Sequence, residues 1–305
     1  MLRGSFVAII TPFHENGDLD LETLKKLVEW QIESGTDGIV CCGTTGEDPM
    51  LSDEECKIVI KTVVQTARKR VLVIAGTGTC ATHSTVERTR EAYRLGVDGV
   101  LVIVPYYSRP TIEGCLAHYT EVGKVGIPTI IYYNPARTGF HLTAQQVGAL
   151  SEIPSMAGIK DSSGSTEFID GLKLYTKLPI LSGDDVVSFD HLKKGASGVI
   201  SIIANVIPSE WKEMIHLALE GDFMRSQAIF EKYLPLCKSV VMEPNPQGIK
   251  YAAHLLGKSS PTLRLPLVQP RESTRLAIER ELRYSLNLSF DGLNLGLCGL
   301  ESFKR

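Results

Sequence analysis

Lys160 is the residue of this chain whose setting first suggests chemistry. It follows the apolar run Met156–Ile159 and precedes the polar turn Asp161–Gly164. We expect such a lysine at the C-terminal end of a buried strand, with its amine at the mouth of a cavity. Because burial disfavours the ammonium form, this amine would lose its proton more readily than that of a free lysine. A neutral amine can attack a carbonyl carbon and form a Schiff base.

Other polar and aromatic residues also follow apolar runs. They lie in Gly43–Glu47, Pro105–Pro110, Tyr132–Gly139 and Gly183–Asp185. If the runs are parallel strands of one barrel, these segments face one mouth together with the lysine. The set contains paired threonines, several phenols and an arginine, and it has no cluster with metal-ligand spacing. The sequence therefore predicts a metal-free site.

These residue types suit imine chemistry on a keto acid. A tyrosine can donate and accept the protons that the imine requires. The hydroxyls of Thr44 and Thr45 can bind a substrate carboxylate, and the planar guanidinium of Arg137 can bind that of a second substrate. Each residue alone also has a structural explanation, as a surface lysine, a turn threonine, a packing aromatic, a solvated arginine or a capping aspartate pair at 184–185. Their occurrence at five strand ends favours a site.

The elements that position these residues follow one repeated pattern. Eight apolar runs, from Phe6–Ile10 to Gly198–Ile203, alternate with helical segments within about 220 residues. Continuous apolar runs are typical of parallel strands that are covered on both faces. The pattern predicts a (β/α)8 TIM barrel. A doubly wound open sheet is the alternative, but no Gly-x-Gly-x-x-Gly turn follows the first strand.

The pattern changes after the eighth unit. We predict a catalytic barrel over residues 1–222 and a C-terminal helical region with a tail over residues 223–305. Apolar residues recur at helical spacing from Phe223 to Leu234, and Pro235 follows. The last twenty residues, 286–305, have no clear period, and their role is not predicted.

Composition excludes several classes of partner. The net charge of −3 and the pI near 6.2 argue against binding to nucleic acid or to an anionic membrane. The seven cysteines include no CxxC pair, which argues against a disulfide framework or a zinc site. No apolar run approaches the roughly 20 residues of a membrane helix. The run Phe6–Ile10 is too short for a signal-peptide core. We expect a cytoplasmic protein.

Six motifs at the strand ends resemble those of one enzyme family. They are GTTGE (43–47), PYYSRP (105–110), YYNPARTG (132–139), GIKDSSG (158–164), LSGDD (181–185) and GVIS (198–201). Together they resemble the dihydrodipicolinate synthase / N-acetylneuraminate lyase family of class I aldolases, from Gly4 to about Leu265. The resemblance implies a (β/α)8 barrel with a C-terminal helical region, usually in a homotetramer. The paired threonines and the Arg-Thr-Gly resemble the synthase branch, because the lyase branch usually has Ser-Thr and lacks this arginine.

The resemblance also implies which residues bind the substrates. Lys160 would form the Schiff base with pyruvate, and Thr45 would hold the pyruvate carboxylate. Arg137 would bind the carboxylate of L-aspartate-4-semialdehyde. The backbone carbonyl of Ile200 and the turn at Gly183 would line the pocket. The covalent imine would make a separate cofactor unnecessary.

A proton relay is implied in the same way. It would consist of Thr44, Tyr107 and a tyrosine of strand five, and Tyr107 would reach the site of a neighbouring subunit. Tyr132 and Tyr133 compete for the strand-five position. The family spacing of tyrosine, two residues and proline selects Tyr132, and Tyr133 stands where the family usually has an asparagine.

The leading hypothesis is a Schiff-base lyase that condenses pyruvate with L-aspartate-4-semialdehyde in diaminopimelate and lysine biosynthesis. The alternative is a sister enzyme that cleaves sialic acid or a 2-keto-3-deoxy sugar acid. Arg137 argues against it, because a polyhydroxy substrate requires hydroxyl partners there. A third reading, a non-catalytic barrel, conflicts with the combination of Lys160, Tyr132 and Thr44.

One departure from the family concerns regulation. Many bacterial synthases are inhibited by lysine at an interface site with a histidine, an asparagine and a glutamate. The matching residues of this chain are Cys56, Cys80 and Ser84. Because the carboxylate that would pair with the amine of lysine is missing, we predict weak or absent inhibition by lysine.

Overall fold

The computed structural model describes residues 2–287, and the segment 288–305 of the predicted tail lies outside them. Eight parallel strands form a closed barrel in chain order, and the last strand pairs with the first. The strands are β1 (Gly4–Ala8), β2 (Gly38–Cys41), β3 (Leu72–Gly76), β4 (Gly99–Ile103), β5 (Thr129–Tyr133), β6 (Met156–Asp161), β7 (Ile180–Ser182) and β8 (Gly198–Ser201). The predicted (β/α)8 barrel is confirmed.

Helices connect the strands and continue after them. They are α1 (Leu21–Glu33), α2 (Asp53–Ala67), α3 (Thr82–Arg94), α4 (Ile112–Gly123), α5 (Pro135–Thr138), α6 (Ala144–Ser151), α7 (Thr166–Tyr175), α8 (Ser188–Lys193), α9 (Pro208–Leu219), α10 (Phe223–Val240), α11 (Gln247–Leu255) and α12 (Glu272–Leu286). Within residues 2–287, none of them is long and apolar enough to cross a lipid bilayer.

The strands are buried on both faces, which explains their continuous apolar runs. One set of side chains points into the barrel, including those of Phe6, Val40, Ile130 and Leu181. The alternate set, such as Ile39 on β2, joins the larger core beneath the helices. A residue at an inward position near the C-terminal end of a strand therefore reaches the barrel mouth.

The C-terminal helices form a layer beside the barrel. Helix α10 packs against α9 and α12. It also continues through Pro235 to Val240, beyond the last residue of the predicted pattern. Proline at that position removes one N–H donor and does not end the helix, because burial of the residues that follow, including Leu236 and Cys237, holds the last turns in place. The division at residue 222 stays a prediction.

Arg264 joins the connector before α12 to the first half of the barrel. Its guanidinium forms an ion pair with Glu55 at 2.5 Å and donates hydrogen bonds to the carbonyls of Gly17 and Met50. The hydrogen bond from Arg264 outweighs the opposing effect of burial and lowers the pKa of Glu55 to about 2. The ion pair therefore contributes to folding stability as long as Glu55 is ionised.

We predict that this contribution depends on pH. Because the folded state lowers the pKa of Glu55, the stabilisation is complete above the ordinary value near 4.5 and is lost as the pH falls toward 2. The difference in free energy of unfolding between the parent and Glu55→Gln, measured in urea, should therefore shrink between these pH values. Glu22→Gln, which removes an exposed pair with Lys25, is the control and should show little effect. A difference for Glu55→Gln that does not change with pH would contradict the prediction.

Candidate active site

A cavity of about 690 Å³ opens at the C-terminal ends of the strands. Six of the predicted site residues line it: Thr44, Thr45, Tyr132, Arg137, Lys160 and Gly183. The lining also includes the segment 241–245 before α11, so the C-terminal region forms one wall. The cavity is large enough for two small organic acids, since ligand pockets typically span about 300–1,000 Å³.

Lys160 lies at the inner wall of this cavity. It is next to last in β6, opposite Tyr132 of β5 and Leu181 of β7 in the strand register. The residue is buried, with 7% of its surface exposed, and its Nζ lies 4.1 Å from the centroid of the Tyr132 ring. Within residues 2–287 the amine forms no ion pair and no hydrogen bond. It is therefore available to a carbonyl carbon in the cavity.

Gly183 leaves the space that the lysine side chain occupies. A methyl group at this position would lie 2.7 Å from Cε of Lys160 and 2.1 Å from Oγ of Ser162. The Gly183 N–H donates to the carbonyl of Asp161 at 2.7 Å, which extends the ladder between the two strands. The absence of a side chain at Gly183 thus allows the lysine to lie along the barrel wall.

Tyr132 is a titratable group whose ring lies against the amine. Its hydroxyl accepts a hydrogen bond from Nδ2 of Asn134 at 3.0 Å. Burial alone would raise the pKa of Tyr132, but the Lys160 charge, this hydrogen bond, Arg137 and the hydroxyl of Thr44 outweigh it and lower the pKa below its usual value. A phenol with a lowered pKa gives up its proton more easily, which suits an acid–base role beside an amine.

Tyr133 points to the other side of the sheet. Its hydroxyl donates to the carbonyl of Leu142 at 3.0 Å and accepts from the N–H of Leu142 at 3.2 Å. Its ring stacks on Phe168 with centroids 4.9 Å apart. Burial raises the pKa of Tyr133. Of the two tyrosines, only Tyr132 lines the cavity.

Thr45 and Arg137 share a partner that sequence reasoning missed. Nδ2 of Asn245 donates to the hydroxyl of Thr45 at 3.0 Å, and the Asn245 carbonyl accepts from Nη2 of Arg137 at 3.2 Å. Oδ1 of Asn245 is buried and has no hydrogen-bond partner within the described residues. Only the position of Asn245 between two prolines, before a helix, marked it in the sequence.

Asn134 was missed as well. Its side chain donates to the Tyr132 hydroxyl and accepts from the backbone N–H of Arg137 at 3.1 Å, as the N-cap of α5. It thus joins the phenol to the turn that carries the arginine. The Asn-Pro pair, which is typical of a capped helix start, is the signal that could have identified it.

Tyr107 and Ile200 lie away from the cavity lining. Tyr107 is 91% exposed. Its backbone has φ of 66°, in the left-handed region that is unfavourable for a bulky side chain. Ile200 is buried inside the barrel near Tyr132. The other six predicted residues line one cavity together, whereas these two do not line it.

The aspartate pair after β7 has structural roles. Asp184 accepts from the N–H of Val186 at 3.0 Å and caps the short helix there, as expected. Asp185 is buried and accepts from the N–H groups of Ile202 and Ile203 at 2.8 Å and from the indole of Trp211 at 3.1 Å. Burial raises the pKa of Asp185 to about 6. This side chain fixes the loop after β8, a role that the sequence did not indicate.

Comparison with known proteins points to one family. The model of the dihydrodipicolinate synthetase family matches residues 1–284. The 4-hydroxy-tetrahydrodipicolinate synthase of Syntrophus aciditrophicus is 42% identical over 286 residues, which are 93% of this chain and 98% of that protein. The crystal structure of dihydrodipicolinate synthase from Aquifex aeolicus has a TM-score of 0.91 and 40% identity, and the match covers 95% of this chain and 100% of that one.

A second solved structure contains a ligand. It is the chloride-inhibited dihydrodipicolinate synthase from Acinetobacter baumannii, complexed with pyruvate. It has a TM-score of 0.91 and 38% identity, and the match covers 94% of this chain and 100% of that one.

The space at Gly183 gives a testable prediction. Gly183→Ala should lower the free energy of unfolding by about 1–3 kcal/mol, because the methyl group forces Lys160 or Ser162 to move. Gly43→Ala is the matched control at the same mouth, since its nearest neighbour would be a Val40 methyl group 4.0 Å away. It should change stability by less than about 0.5 kcal/mol in urea unfolding. Equal effects of the two substitutions would refute the steric argument.

Proposed function

Because the chain belongs to the dihydrodipicolinate synthetase family, we propose that it condenses pyruvate with L-aspartate-4-semialdehyde to 4-hydroxy-tetrahydrodipicolinate. This is a lyase reaction of diaminopimelate and lysine biosynthesis. The observation that carries the proposal is the buried Lys160 amine, 4.1 Å from the Tyr132 ring and open to the cavity. The covalent imine on this lysine serves in place of a cofactor.

The first half of the reaction is imine formation. The Lys160 amine attacks C2 of pyruvate, and loss of one water from the carbinolamine leaves the imine. Thr45 holds the pyruvate carboxylate through its hydroxyl. The Gly183 turn bounds the pocket on the side of β7. Pyruvate in the related structure supports a keto acid as the first substrate.

Tyr132 moves the protons of this half-reaction, together with Thr44. It protonates the carbinolamine hydroxyl, which leaves as water, and then accepts the C3 proton that is lost as the imine becomes an enamine. The lowered pKa of Tyr132 and its hydrogen bond from Asn134 support this role. Tyr107 of a neighbouring subunit completes the relay. Its exposure of 91% and its left-handed backbone support a contact outside its own subunit.

The second half joins the two substrates. Arg137 binds the carboxylate of the semialdehyde, and the enamine carbon attacks the aldehyde. The amino group of the bound semialdehyde then attacks the imine carbon, which closes the ring and frees Lys160. Over the cycle one water is released. Arg137 lies at the rim of the cavity, where a carboxylate can approach its guanidinium from solvent.

Assembly and compartment follow from the same proposal. A homotetramer would supply Tyr107 from a neighbouring subunit. Both substrates are small molecules, and the proposal includes no nucleic-acid or membrane partner. The six cysteines of the described residues are free thiols, which supports a reducing compartment such as the cytoplasm.

A substrate panel tests the reaction. Purified protein should form product from pyruvate and L-aspartate-4-semialdehyde, and it should not release pyruvate from N-acetylneuraminate or a 2-keto-3-deoxy sugar acid. Arg137→Ala should raise the KM for the semialdehyde and leave the KM for pyruvate near that of the parent. Efficient cleavage of a sugar acid, with no condensation, would replace the proposal by its alternative.

The two adjacent tyrosines offer a matched pair of substitutions. Tyr132→Phe should lower kcat by about 100-fold or more, because it removes the proton donor beside the imine. Tyr133→Phe should lower kcat by less than about threefold, although loss of its hydrogen bonds with Leu142 should reduce stability. Steady-state kinetics and thermal melts separate the two effects. A greater loss of kcat in Tyr133→Phe would reverse the assignment.

Lysine should not inhibit the enzyme strongly. Cys56 is buried and donates its thiol to Asp48, while Cys80 is exposed and position 84 carries an exposed serine. None of these side chains offers a carboxylate to the amine of lysine. A titration with lysine to millimolar concentrations should leave most of the activity, and complete inhibition would contradict the prediction.

A further inference from the structure

A buried ion pair joins the GTTGE turn to the C-terminal region. Nζ of Lys250 on α11 lies 2.5 Å from Oε1 of Glu47, and both side chains are fully inaccessible to solvent. Lys250 also donates to the carbonyl of Thr262 at 2.7 Å and lies 4.1 Å from the centroid of the Phe13 ring. Oε2 of Glu47 accepts the backbone N–H of Arg264 at 3.0 Å. Nζ of Lys250 and both carboxylate oxygens of Glu47 therefore each have a hydrogen-bond partner.

Both members lie close in sequence to residues of the cavity. Glu47 is two positions after Thr45, in a tight turn in which its N–H donates to the carbonyl of Thr44 at 3.1 Å. Lys250 belongs to the first turn of α11, and its N–H donates to the carbonyl of Pro246, directly after Asn245. The two segments therefore meet twice, through the ion pair and through the 3.0 Å bond from Asn245 to Thr45.

The backbone of the turn also requires an external support. Glu47 has φ of 59°, a left-handed conformation that disfavours side chains other than glycine, asparagine or aspartate. Burying two opposite charges adds a desolvation cost, and an apolar pair of similar volume would often fold equally well. Stability alone therefore does not account for a charged pair at this point. What the ion pair provides in addition is a fixed distance between the GTTGE turn and α11.

We propose that Glu47 and Lys250 are positioning residues that hold Thr45 and Asn245, and through the Asn245 carbonyl Arg137, at the spacing that binds the two substrates. The ion pair touches neither substrate. It acts by fixing the hydroxyl of Thr45, which accepts from Asn245, and the guanidinium of Arg137, which donates to the same residue. This inference rests on the proposed function, because it assigns these residues to pyruvate and the semialdehyde.

Three variants and a control test the proposal. Glu47→Gln and Lys250→Met each leave one buried charge unpaired, so both should lower the Tm and raise the KM for pyruvate at least tenfold, with kcat falling less than threefold. The double variant leaves no charge unpaired, so its Tm should recover above that of both single variants. Its KM for pyruvate should stay at least fivefold above the parent, because the link between the turn and α11 is still absent.

Ile249→Val is the control for a general loss of stability. It lies beside Lys250 on α11 and is fully buried, so it should lower the Tm while leaving the KM within twofold of the parent. If the ion pair contributed only to stability, the KM for pyruvate would rise in every variant with a lowered Tm, including the control. It would return to the parent value in the double variant. That result would overturn the proposal.

Two further measurements make the test decisive. If the double variant does not fold, Glu47→Asp replaces it, since it keeps the charge and shortens the side chain by one carbon. It should raise the KM for pyruvate at least threefold, and an unchanged KM would overturn the proposal. Borohydride trapping of pyruvate on the parent distinguishes the two levels of inference. If the parent forms no adduct, the proposed function is wrong, whereas normal trapping with unchanged KM values in the variants rejects the positioning role alone.

Discussion

The arrangement of the candidate site follows from the inward position of Lys160 near the end of β6. The strand register sets this side chain between Tyr132 and Leu181, and the pleat directs it into the barrel rather than toward the helices. A shift of one residue would turn the amine toward the outer core and remove it from the phenol. The closed barrel prevents such a shift, because every strand is paired on both sides.

The mouth around this lysine is built from two parts of the chain. The barrel supplies the amine, the phenol and the threonines, while the segment before α11 supplies Asn245 and one wall of the cavity. Long-range contacts join the two parts: the bond from Asn245 to Thr45, the ion pair of Lys250 with Glu47, and the ion pair of Arg264 with Glu55. The segment between α10 and α11 is therefore part of the site, while the C-terminal helices form a layer on the outside.

The sequence predicted what depends on local pattern. Continuous apolar runs identified the strands, and the segments at the ends of β2, β5, β6 and β7 identified more than half of the cavity lining. It could not predict the contacts of Asn245 and Lys250, because each partner lies about 200 residues away and periodicity contains no information about such pairs. The role of Asp185 was missed for a different reason: its partners lie only 17 to 26 residues further along the chain, but a capping aspartate and one that holds the loop after the next strand look alike in sequence. The continuation of α10 past Pro235 depends on burial that the local pattern does not reveal.

The proposed reaction requires the amine of Lys160 to form an imine with pyruvate inside the barrel mouth. Borohydride reduction in the presence of pyruvate, followed by peptide mass spectrometry, tests it most directly. We expect one reduced pyruvate adduct per chain, located on Lys160 and absent from Lys160→Ala. An adduct on another lysine, or unchanged turnover in Lys160→Ala, would contradict it.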